Sequence, residues 1–109
     1  MAVDEELAAR VRDVLPPGEG LVEKRMFGGL AFLLSGNMCC GVHGDELIVR
    51  LDPGEADEAL REPHARVFDL TGRPMKGWVL IGPGGLSTDG DLRGWVGRGV
   101  EFARSLPSK

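Results

Sequence analysis

Residues 24–51 read KRMFGGLAFLLSGNMCCGVHGDELIVRL, and the periodicity of this stretch decides the fold. GLAFLL and MCCGV are short apolar runs separated by Ser35-Gly36-Asn37, and DELIVRL alternates apolar with polar. Gly and Asn at the first break, and Gly44-Asp45 at the second, accept the positive φ that tight hairpins need. From Glu23 to Leu51 this predicts a three- or four-stranded antiparallel meander. Pairing across Gly44-Asp45 sets Val42 opposite Leu47, Cys40 opposite Val49 and Met38 opposite Leu51, an apolar face that belongs in a core. Successive strand residues point to opposite faces, so Cys39 is expected on the other face with Gly41 and His43, opposite Arg50, Ile48 and Glu46. The position of Phe32 depends on the first turn. A three-residue loop puts it on the Cys40 face, and a two-residue loop puts it on the Cys39 face.

Outward from the meander the period becomes helical. Val3, Leu7, Val11 and Val14 share a helical stripe, and Asp4, Glu5 and Glu6 suit the positive N-terminal end of the helix dipole. PPGEG, residues 16–20, ends that helix. After the meander, Asp52 is an N-cap, Pro53 fits the first helical position, and Glu55 completes a capping-box-like pair. Pro63 stops this short helix. ARVFDL and KGWVLIG read as two further strands joined by a loop containing Gly72, Arg73 and Pro74, and GPGG is a turn. Leu92, Trp95, Val96, Val100, Ala103 and Leu106 form one face of a closing helix capped by Thr88 or Asp89. Gly90, Gly94, Gly97 and Gly99 weaken that helix by up to ~1 kcal/mol each if interior, so it must dock to persist. The expected fold is one two-layer α+β domain over residues 1–109. Its antiparallel sheet has five to six strands, and the helices pack mainly on one face.

Composition narrows the function. The chain has 109 residues, 42% of them hydrophobic, and a formal charge of −4. Residues 1–60 carry a net −7 and residues 61–109 a net +3. An overall pI near 5.1 argues against sequence-independent DNA binding, which needs many phosphate-neutralising cations. A local basic surface built from Arg66, Arg73, Lys76 and Arg98, with Arg61, Arg93 and Arg104 nearby, remains a candidate. The acidic N-terminus lacks the pattern of a signal peptide, and no apolar run approaches the ~20 residues of a membrane span. A cytoplasmic protein with reduced cysteines is therefore expected.

Few residues suggest catalysis. Gly28-Gly29 follows the basic pair Lys24-Arg25, but P-loop spacing is absent and a strand follows instead of a helix N-terminus. Glycines entering a strand mark a bulge or a close backbone approach. Cys39-Cys40 is not expected to act as a C-x-x-C redox pair, because successive strand residues face opposite sides. A zinc site needs about four convergent ligands, and Cys39 and His43 stand roughly 13 Å apart along a strand at ~3.3 Å per residue. His43 and His64 have no evident nucleophile or carboxylate partner. No enzyme, metal or cofactor is expected. The candidate interaction face is the second sheet face, Cys39, His43, Ile48 and Arg50, extended by Trp78; an apolar patch left open there marks a partner or dimer surface. The alternatives are a small-ligand or thiol-reactive domain, with the Cys39 thiolate tuned by Arg50, and weak DNA binding through the basic C-terminal half.

Taken together, KRMFGG, GNMCCGV and GRPMKGWV make the chain resemble the N-terminal domain of the TfoX/Sxy family of competence regulators. The likeness runs from the first helix to the closing FARSLP. It implies a two-layer α+β domain with an antiparallel sheet, and a role in transcription beside the cyclic-AMP receptor protein. The full-length regulators add a helical C-terminal domain of helix–hairpin–helix type, so this chain is expected to act as a stand-alone first domain. The resemblance supplies no catalytic residues. A homodimer with a transcription-factor partner is the resulting expectation, with no membrane association.

Overall fold

The computed structural model describes residues 4–15, 18, 20–26, 29–69 and 76–107. The breaker residues Pro16, Pro17 and Glu19, together with Gly28 and the loop around Gly72, Arg73 and Pro74, lie outside that set. Along the chain the elements are α1 (Glu5–Val14), β1 (Leu21–Met26), β2 (Gly29–Leu34), β3 (Asn37–His43) and β4 (Glu46–Arg50). They continue with α2 (Pro53–Ala59), β5 (Ala65–Val67), β6 (Trp78–Ile81), a 3-10 turn at Pro83–Gly85 and α3 (Asp89–Arg104). The six strands form one antiparallel sheet in the order β1-β2-β3-β4-β6-β5. Among the described residues no helix is long and apolar enough to cross a membrane.

Local signals set the element ends. The Asp4 carboxylate accepts hydrogen bonds from the Glu6 and Leu7 N–H groups at the start of α1, which would otherwise lack partners. Asp52 accepts from the Gly54 N–H at the start of α2, with Pro53 in the first turn. Thr88, not Asp89, caps α3 through the Asp91 N–H. Of the strand expected over ARVFDL, only Ala65–Val67 joins the ladder. Phe68 leaves it and turns its ring inward, 3% exposed.

The helix-side core draws on all three helices. Leu7, Ala8 and Val11 of α1, Ala56 and Ala59 of α2, and Leu92, Trp95, Val96, Val100 and Ala103 of α3 meet Leu30, Phe32, Cys40, Val42, Leu47, Val49, Val79 and Ile81 of the sheet. Burying a side chain such as Phe32 is worth roughly 2–3 kcal/mol. The opposite face carries a smaller cluster of Ala31, Met38, Ile48, Phe68 and Leu80, with Leu33 and Trp78 packed at its edge. Helix α3 crosses the sheet where glycine permits it: a Cβ on Gly99 would collide with the Cys39 carbonyl. Gly29 likewise lets the start of β2 approach the Val42 carbonyl, the close backbone approach expected of a glycine entering a strand.

Candidate functional site

The β2–β3 hairpin resolves the position of Phe32 in a way neither loop length anticipates. Leu34 pairs with Asn37 across a two-residue turn, with Ser35 at φ 51° and Gly36 at φ 85°. Both left-handed values match the turn type that suits the strand twist. Two residues on, the register slips: Leu33 pairs with Met38, whereas Phe32 pairs with Cys40. Cys39 is the extra residue of a β-bulge. Strand alternation is suspended across it, so Met38 points into the outer cluster while Cys39 and Cys40 both enter the helix-side core. Phe32 joins both cysteines there.

The bulge overturns the expected exposure of Cys39. Both thiols are fully buried, Cys39 lies within hydrogen-bonding distance of the Phe32 carbonyl oxygen (3.4 Å), and the two sulfurs lie 3.8 Å apart. Their shared hydrogen bond draws the Cys39 thiol below the ordinary cysteine value against the opposing effect of burial. The same contact, together with burial and repulsion from Cys39, pushes Cys40 well above it. A lowered value favours a reactive thiolate, but such chemistry also needs access. Cys39 therefore leaves the candidate face. Ile48 leaves it too, because its side chain is fully buried in the outer cluster beside Leu80. Among the described residues the apolar side chains of that face pack on one another. Val22 and Val67 are the large apolar residues that stand exposed among the described residues.

His43, Arg50 and Trp78 stay half-buried, at opposite ends of the outer face. His43 pairs in register with Glu46 at the β3–β4 turn. There Glu46 accepts two hydrogen bonds from Arg66, at 2.9 Å from Nε and 2.5 Å from Nη2, and Asp69 lies 3.6 Å from the same guanidinium. These carboxylates hold the Arg66 guanidinium still more firmly in its charged form. At the other end Arg50 pairs in register with Trp78. Its guanidinium carbon lies 5.2 Å from the Trp78 ring centre and 5.4 Å from that of Phe102 in the last turns of α3. The Trp78 ring also meets Phe68, with centres 5.8 Å apart. Among the described residues Arg50 has no carboxylate within salt-bridge distance. A half-buried cation is thus held by two π-faces, with its N–H donors unclaimed by any acid.

Among the described residues the candidate basic side chains Arg66, Lys76 and Arg98 do not assemble into one surface. Arg66 is in register with Leu80 of the outer face and already engages Glu46. Arg98 belongs to the helix layer, with its guanidinium 4.7 Å from the Trp95 ring centre. Lys76 is exposed at the entry to β6, and Arg73 lies outside the described residues.

Two contributors escape sequence reading. Phe102 lies off the inward stripe of α3, and an apolar residue outside that stripe is the signal that could have drawn attention to it. Asn37, taken for a turn residue, is buried at 2% exposure and donates from Nδ2 to the Pro107 carbonyl at 2.8 Å. It ties the β2–β3 hairpin to the chain beyond α3. No group of three or more metal-ligating side chains comes together among the described residues.

The family model for the TfoX N-terminal domain matches residues 13–103, which include every strand, α2 and nearly all of α3. No curated protein and no solved structure matches the chain.

Proposed function

The chain belongs to the TfoX N-terminal domain family, and we propose that it is a non-enzymatic protein-interaction module of TfoX type. In this reading it works in the cytoplasm, is linked to transcription, and pairs with a second copy of itself. A transcription factor of the cyclic-AMP receptor protein type is the further partner that the family suggests.

The Arg50 stack carries the reading. Tryptophan and arginine dominate the energetic centres of protein interfaces, because they combine a large apolar body with directional donors. Here both are held in fixed geometry and half exposed, and the arginine lacks an acid partner among the described residues. Pre-ordering lowers the entropy lost when a partner arrives. Sedimentation velocity over a range from low to several hundred micromolar tests the self-association. A weight-average coefficient that climbs from the monomer toward the dimer value is expected. A coefficient that stays at the monomer value throughout removes pairing from the proposal.

A further inference from the structure

The two edges of the sheet are unlike. At one edge β5 offers three residues, and its Arg66 is already tied to Glu46 and Asp69. At the other β1 offers six, and Val22, Glu23, Lys24 and Arg25 are exposed in succession beside the largely buried β2. The hairpin decides which backbone groups this edge presents. Leu34 closes the two-residue turn with Asn37, so its N–H and C=O face β3 and not its β1 partner Leu21. One step on, the Ser35 N–H donates to the Gly20 carbonyl. Bonded and unbonded positions alternate along an antiparallel ladder. Lys24 therefore turns its backbone groups to β2, while Glu23 and Arg25 turn theirs outward. The register sets both of these residues on the helix-side face, opposite Phe32 and Leu30. Arg12 Nε donates to Glu23 Oε1 at 2.6 Å, whereas Arg25 has no ion-pair partner among the described residues.

We propose that two copies of the chain pair antiparallel along β1 about a two-fold axis at Lys24, with Glu23 of each opposite Arg25 of the other. Each crossed pair exchanges two backbone hydrogen bonds and adds an ion pair on the helix-side face. The axis stands perpendicular to the joined sheet, so like faces meet and the pairing must be centred on a residue. Centred on Glu23 or Arg25, that residue would oppose itself and no opposite charges would meet. Centred on Val22, the pairing would need the Leu21 N–H, which already donates to the Gly18 carbonyl at 3.0 Å. At Lys24 the cost is one lysine opposite its copy, and the flexible stems let the two ammonium groups diverge. An extended segment of another protein would have to supply its own acid opposite Arg25, whereas a second copy carries one in register. This pairing rests on the self-association proposed above, gives it a surface, and leaves the Arg50 stack to the further partner.

Sedimentation equilibrium on the whole chain tests the pairing. Arg25→Glu and Glu23→Arg, each alone, set like charges opposite one another at both crossed contacts, and each should weaken pairing at least about tenfold. An equimolar mixture of the two variants should recover dimers, because every crossed contact then joins opposite charges. Arg25→Pro removes an outward N–H at an edge position where proline is tolerated, and should weaken pairing by at least the same factor. Circular dichroism of each variant monitors the fold. Arg25→Glu breaks no ion pair among the described residues, so it decides the matter if Glu23→Arg disturbs Arg12. Wild-type dimers that all three variants leave intact overturn the β1 edge and leave self-association standing. Weakened single variants without recovery in the mixture overturn the Glu23–Arg25 register. A wild-type chain that stays monomeric overturns the edge pairing and the self-association together.

Discussion

The two faces of the sheet are made from the same strands, yet they are closed by different means. On one side three helices cover Phe32, Leu47, Val49 and Ile81, and the core is deep enough to take in both cysteines. On the other, among the described residues, no helix contributes, and the cluster is five buried residues edged by Leu33 and Trp78. Its closure depends on Phe68, which leaves its strand to reach it, and on Trp78 at the rim. A face without helices can still be dry if its few apolar residues pack on one another. The surface left for partners is then its edge, where Arg50 rests between two rings.

Substitutions on the two faces probe this contrast. Phe32→Ala empties the centre of the helix-side core and should cost about 4 kcal/mol in urea denaturation. Phe68→Ala should cost about 3 kcal/mol in the same experiment, as for a buried phenylalanine. A loss below about 1 kcal/mol there would mean that the outer face is open after all. The glycines of α3 offer a test with opposite signs. Gly99→Ala drives a methyl into the Cys39 carbonyl and should destabilise by about 2 kcal/mol. Gly94→Ala adds a methyl where nothing lies within 4 Å, and should raise stability by up to ~1 kcal/mol through helix propensity alone. If Gly94→Ala instead abolished pairing in sedimentation, the contact would sit on α3 and not along β1. Arg66→Ala, at an exposed ion pair, should change stability by less than about 1 kcal/mol, with the effect shrinking further in high salt.

What the sequence reveals and what it conceals follow from the range of the interactions. Asp4, Asp52 and Thr88 act within one turn of their own helices, so the caps of α1 and α2 are legible, and that of α3 narrows to Thr88 or its neighbour. The pairing of Val42 with Leu47 and of Cys40 with Val49 follows from the Gly44-Asp45 turn and is observed. The Cys39 bulge is different in kind. MCC is a run of three apolar residues that strict alternation must split between faces, whereas both cysteines lie on one side, where Gly99 of the distant α3 approaches the Cys39 carbonyl. Strict alternation therefore puts Cys39 on the outer face, where a reactive thiol would be plausible, and the one-residue bulge removes it. Alternation gives the correct face for Ile48, but its burial comes from Phe68 and the neighbouring strands. The Arg50 stack joins β4, β6 and the end of α3, so its third member, Phe102, comes from a distant part of the chain.

The bulge turns both cysteines inward and leaves Arg50 and Trp78 as the distinctive surface. Titration of the native chain with a chromogenic disulfide reagent at neutral pH checks this inward placement. The structure predicts that neither thiol reacts on the timescale of free cysteine, and that both react once denaturant unfolds the chain. One thiol reacting in the native chain as fast as free cysteine would contradict it, returning Cys39 to the surface and thiol chemistry to the candidate functions.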